Sequence, residues 1–197
     1  MKSKKIAIIV CVVLVMLSVF GGCSSKSSDN GEASPANATN KKIKVVTVKS
    51  ENGLFSVTFP DANWGKNSGE ETMNEESDLE ACNERKNSYC MALMENKSDF
   101  SCTYDEYADV IIENLETGYG VDIGDAKVVD LGNGKMWKSS TFEASVDSIN
   151  IYMKAYIVET ENYYGQLLIW SAKSGQEYID DISDDIAKTF TEANKAV

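Results

Sequence analysis

The chain has 197 residues, 31 acidic against 19 basic side chains, a net charge of −12 and no histidine. The missing imidazole excludes histidine metal sites, Ser-His-Asp and Cys-His nucleophile activation, and the usual acid or base near neutral pH. The negative charge disfavours nucleic acid and anionic lipid headgroups as partners and serves solubility.

The N-terminus reads as a secretory leader. Lys2, Lys4 and Lys5 precede an apolar run from Ile6 to Phe20, too short to span a bilayer comfortably, and small residues follow at Gly21 and Gly22. Phe20-Gly21-Gly22-Cys23 resembles the lipobox of bacterial lipoproteins, departing from it at Phe20, where leucine is usual. The resemblance implies removal of residues 1–22, diacylglycerol on the Cys23 thiol, and an anchor on the outer face of the bacterial cytoplasmic membrane. An uncleaved anchor helix or plain secretion are the alternatives. Residues 23–42, rich in Ser, Asn, Ala and Gly, bury too little apolar area to order and read as a tether. That leaves one domain, 43–197.

The domain opens with two short strands, Val45 to Val48 and the alternating Leu54 to Phe59, stopped by Pro60; Trp64 is expected in a loop. An acidic stretch with Glu70, Glu71, Glu75, Glu76 and Asp78 leads into a hairpin of Asp78–Glu84 and Ser88–Glu95, turning at Arg85–Asn87. Thr103-Tyr104-Asp105-Glu106 is a capping box, and Tyr104, Tyr107, Ala108, Ile111 and Leu115 recur at helical spacing up to Gly118. A strand over Ala126–Leu131 and the turn Gly132-Asn133-Gly134 come next. Strands over Met136–Ser145, Ile149–Glu159 and Tyr163–Ser171 then form an antiparallel meander. Ser174-Gly175-Gln176-Glu177 reads as a second capping box, opening a helix with Tyr178, Ile182, Ile186 and Phe190 on one stripe. Strand runs with one central and one terminal helix imply an α+β fold.

This order of elements resembles the PsbP-like fold. The resemblance rests on the strand ending Phe59-Pro60 with Trp64 after it, the hairpin, the helix carrying Tyr104-Asp105-Glu106-Tyr107, and the meander closed by a helix ending Ala187-Lys188-Thr189-Phe190. That family includes an extrinsic photosystem protein, a Ran-binding nuclear import factor and many bacterial lipoproteins. It implies an antiparallel sheet with helices packed on its faces, an α/β/α sandwich, and a binding or assembly role without catalysis or cofactor.

Candidate sites are few. A hairpin centred on Lys86 puts Cys82 opposite Cys90, close enough for a cross-strand disulfide in an oxidising compartment; pairing of Cys90 with Cys102, or three reduced thiols, are the alternatives. No Cys-x-x-Cys spacing suggests a metal site. Asp180, Asp181, Asp184 and Asp185 read as a solvated helix face. A loop of Thr160-Glu161-Asn162 sets Tyr152 opposite Trp170 and collects Trp137, Tyr152, Tyr156, Tyr164 and Trp170 on one face of the meander. That face is either a platform for a sugar or peptide, or core beneath a helix. Two functions follow: a lipid-anchored extracytoplasmic module binding a protein, peptide or envelope ligand, or an envelope hydrolase using an Asp/Glu pair.

Overall fold

Two antiparallel sheets and two helices organise residues 45–67 and 73–193, the residues that the computed structural model describes. The leader, Cys23, the tether, and Glu70 and Glu71 lie outside the described residues. In chain order the elements are β1 (Val46–Lys49), β2 (Phe55–Phe59), β3 (Trp64–Lys66), β4 (Leu79–Asn83), β5 (Ser88–Asn96), α1 (Tyr104–Tyr119), β6 (Lys127–Val129), β7 (Met136–Val146), β8 (Ile149–Glu159), β9 (Tyr163–Ala172), α2 (Gln176–Ala187) and β10 (Thr191–Glu192). The large sheet runs β3-β4-β5-β9-β8-β7-β6 and the small one β1-β2-β10. The expected α+β architecture, helices on both faces of an antiparallel sheet, is the one observed.

α1 begins where its capping residues place it. Thr103 Oγ1 accepts from the Glu106 amide, and the Glu106 carboxylate accepts from the Thr103 amide at 2.8 Å, so two orphan donors of the first turn are satisfied. The helix outruns Gly118 and stops at Gly120, whose φ of +67° closes it in the left-handed region. Its Tyr104, Tyr107, Ala108, Ile111, Ile112 and Leu115 are buried against one face of the large sheet with Met153, Leu168 and Trp170.

α2 covers the other face, over β8 and β9, but the second capping box does not form. Lys173–Gly175 fold as a 3-10 turn and the helix starts at Gln176 behind Gly175, with no side-chain cap from Ser174. Gly175 is held there by crowding: an added Cβ would lie 2.7 Å from Ser171 Oγ. Ile179, Ile182 and Ile186 share this layer with Phe55, Val57 and Phe59 of the small sheet. Phe190, past the helix end, stacks on Phe55 at 4.8 Å and meets Trp137 edge-on at 6.0 Å. Its ring lies over Gly165, where a Cβ would come within 3.1 Å of it.

Two strand assignments differ from expectation. Trp64 begins β3, pairing with Asn83 and stacking on Phe59 at 4.6 Å, so the residue assigned to a loop is an edge-strand anchor of the core. β10 pairs with Ser56 and Phe55 of β2, a long-range contact without local sequence signal.

Both critical hairpins are shifted by one residue. The β4–β5 loop holds four residues, a 3-10 turn over Glu84–Lys86 and then Asn87 at φ +46°, so Asn83 pairs with Ser88. The β8–β9 loop is a two-residue tip, Glu161-Asn162, closed by the Thr160 amide donating to the Tyr163 carbonyl, so Glu159 pairs with Tyr164. Side chains alternate faces along a strand, so each one-residue slip sends residues to the opposite side of the sheet.

Candidate binding surface

The five aromatic residues do not form one face. Trp137, Tyr152 and Tyr156 lie on the α2 side, while Tyr164 and Trp170 lie on the α1 side. Tyr152 pairs with Ser171 and Trp170 with Met153, which corrects the expected pairing of Tyr152 with Trp170 and removes the continuous platform. All five are buried. Each is held by internal contacts: Tyr152 donates to Asp180 at 2.6 Å, Tyr156 to Asp184 at 2.5 Å, and Trp137 Nε1 to Asn133 at 3.0 Å. Tyr164 stacks on Tyr107 at 4.4 Å and donates to the Cys102 carbonyl, and Trp170 stacks on Tyr89 at 5.6 Å. Aromatic rings with their polar tips satisfied inside the protein are core, the second of the two sequence readings.

The same slip separates the thiols. Cys82 pairs with Tyr89, and Cys90 with Ala81, so the two sulfurs occupy opposite faces and the expected cross-strand disulfide is not formed; Cys82, Cys90 and Cys102 are all free. Burial pushes the Cys90 thiol up, leaving it protonated and inert.

The acidic groups are partly structural. Half of the aspartate cluster on α2 is not simply solvated, since Asp180 and Asp184 accept from the two tyrosines of β8. Burial alone would raise Asp180, but hydrogen bonds from Tyr152 and Lys154 hold it below its ordinary value. Tyr152 is pushed up to about 12 by burial and by the same hydrogen bond to Asp180. Glu80, buried at the start of β4, accepts from the Asn74 amide at 2.7 Å, Ser77 Oγ at 2.9 Å and Asn67 Nδ2 at 2.9 Å, tying down the segment before β4. Asp78 accepts from the Met94 amide at 2.8 Å and titrates upward through burial. These carboxylates work as staples for loops. Among the described residues, no group of three or more Cys, Asp or Glu side chains is placed to hold a metal ion, and no helix is long and apolar enough to cross a membrane.

What the sequence does not show is a strip of sheet whose α2 side no described residue covers. The small sheet lies against β3 and β4, and α2 lies on β8 and β9. β6 pairs only with Trp137–Ser139, so the rest of β7, 140–146, is a sheet edge. On its α2 side Thr141, Glu143 and Ser145 are exposed. Beside them Lys154 pairs with Asp180 at 3.2 Å, and Lys173 bridges Glu143 and Gln176 with its ammonium 5.2 Å from the centre of the Tyr152 ring. The only hint in the sequence is length, a short apolar run at Ala126–Leu131 set against a long strand after Met136.

No protein-family profile matches the chain, and no curated protein matches it by sequence. Solved structures do match in shape. Cyanobacterial PsbP (CyanoP) from Synechocystis sp. PCC 6803 superposes with a TM-score of 0.56 at 10% identity, over 80% of this chain and 98% of that one. The Ran-binding protein Mog1p of Saccharomyces cerevisiae gives 0.52 at 9% identity, over 76% and 96%. A protein from Bacteroides thetaiotaomicron gives 0.53 at 14% identity, over 77% of this chain but 49% of its own length. At these identities the likeness is one of fold, and the fold is that of PsbP and Mog1.

Proposed function

We propose that this protein is a lipid-anchored extracytoplasmic binding or assembly module, tethered through Cys23 and residues 23–42, with its folded domain held outside the cytoplasmic membrane. The observation that carries the reading is the fate of the polar groups. The buried tyrosines and carboxylates that sequence alone leaves available for chemistry hold helices and loops in place, and the tyrosines with shifted titration are all moved upward, away from acid or base work near neutral pH. Among the described residues, no pair of buried, facing carboxylates supports the hydrolase reading. The lipobox-like run before Cys23 supports the anchor. Mog1p, a Ran-binding protein of the same fold, shows that such a sandwich can carry a protein-binding surface.

The test has two readouts on full-length protein in cells. An alkyne fatty acid should label the wild type and not Cys23→Ser, because one diacylated cysteine supplies two chains, enough for stable attachment. Lysine-reactive cross-linking of the membrane fraction should give a discrete heterologous adduct. Equal labelling of both forms contradicts the anchor, and the absence of any adduct contradicts the module.

A further inference from the structure

β7 leaves most of one side without a strand partner among the described residues. It has eleven residues, paired along its whole length to β8 on one side but to β6 at only Trp137–Ser139 on the other. Among the described residues, 140–146 make no backbone hydrogen bond outside the β8 ladder. The alternate amides and carbonyls that face away from β8 therefore offer a template for another strand. Ser140, where the pairing with β6 ends, also has a buried hydroxyl with no partner.

We propose that 140–146 of β7 is a docking edge for an extended segment of a partner protein carrying Lys or Arg at alternate positions, added to the sheet as a further strand. Main-chain hydrogen bonds would supply affinity, and the alternating side chains would supply selectivity. Along this edge Thr141, Glu143 and Ser145 are exposed, and Asp147 at the β7–β8 turn and Asp122 and Asp125 ahead of β6 are exposed acids. Of the three lysines beside this edge, Lys154 and Lys173 are already paired with Asp180 and Glu143, and Lys127 of β6, opposite Ser139, is outnumbered by these acids. Charge complementarity thus selects a basic strand. It also disfavours a second copy, because a two-fold pairing centred on Glu143 sets two glutamates opposite each other on chains of net charge −12.

The inference rests on the binding-module reading, and its test uses a different readout. The probe is a labelled eight-residue peptide of alternating Lys and Val, titrated against full-length protein in detergent, with fluorescence anisotropy for affinity and amide hydrogen exchange for location. Expected are slowed exchange within 140–146, a loss of at least about tenfold when alternate peptide nitrogens are methylated, since several ladder hydrogen bonds disappear, and a reversed preference, for a Glu-Val peptide, in Glu143→Lys. Binding indifferent to N-methylation would mean adhesion to an acidic surface and overturn the proposal, as would no binding. Those amides of 140–146 that face away from β8, if already protected before peptide is added, would also overturn it, assigning the edge to another part of this chain or, if sedimentation shows a dimer, to a second copy. Failure here together with a membrane adduct moves the docking site elsewhere; failure of both removes the module reading.

Discussion

The Tyr152 hydroxyl donates a 2.6 Å hydrogen bond to Asp180, joining the sheet to the helix above it and meeting there the Lys154 ammonium. This contact fixes the direction in which Asp180 titrates. Its carboxylate is stabilised in the folded state, so its folded pKa lies below the ordinary 3.8. The stabilisation is present above that value and is lost as pH falls through the folded pKa. Carbon-detected NMR should place the Asp180 midpoint below 3.8 in the wild type and move it upward in Tyr152→Phe. An unchanged midpoint would mean that the tyrosine does not set it.

The two helix starts predict opposite outcomes. Thr103→Ala removes a formed capping box and should destabilise the domain by about 1 kcal/mol in chemical denaturation. Ser174→Ala removes no cap and should leave stability unchanged within error. Equal losses at the two positions would show that α2 begins at Ser174 after all.

Gly165 lies beneath the Phe190 ring and beside Val158, whose Cγ1 would be 2.7 Å from an added Cβ. Gly165→Ala should therefore cost about 1–3 kcal/mol by overpacking. Phe190→Leu in the same background should cost less than the two losses added together, since the contacting pair is coupled. Additive losses would place the strain elsewhere.

Peptide mapping without reductant should recover Cys82, Cys90 and Cys102 each alkylated after unfolding. In the folded protein Cys90 should resist a maleimide, because it is fully buried. A Cys82–Cys90 linked peptide would require the β4–β5 register to slip by one residue from the one observed.

Element order, the start of α1 and the bounds of β8 are legible in the sequence because each carries a local signal: alternation, a capping box, or turn residues. Asp147 and Ser148, both at positive φ, make the tight β7–β8 turn whose place the short polar break marks. Face assignment is not legible in the same way. It depends on counting loop residues, and three were expected where the chain uses four at Glu84–Asn87 and two at Glu161-Asn162. One such miscount joined Tyr152 to Trp170, and the other joined Cys82 to Cys90. The β7 edge is not legible in the sequence for a related reason: it is created by the shortness of β6, which is set by long-range pairing rather than by residues near Glu143.

The central claim is that the domain meets a partner at the membrane through the β7 edge. The direct test is a photo-cross-linking residue at Thr141 in the full-length protein, compared in intact cells with the same residue at Glu113, an exposed position of α1. A discrete membrane-fraction adduct from position 141, absent from position 113 and lost in Cys23→Ser, is the predicted result. No adduct from position 141, or the same adducts from both positions, would contradict the account.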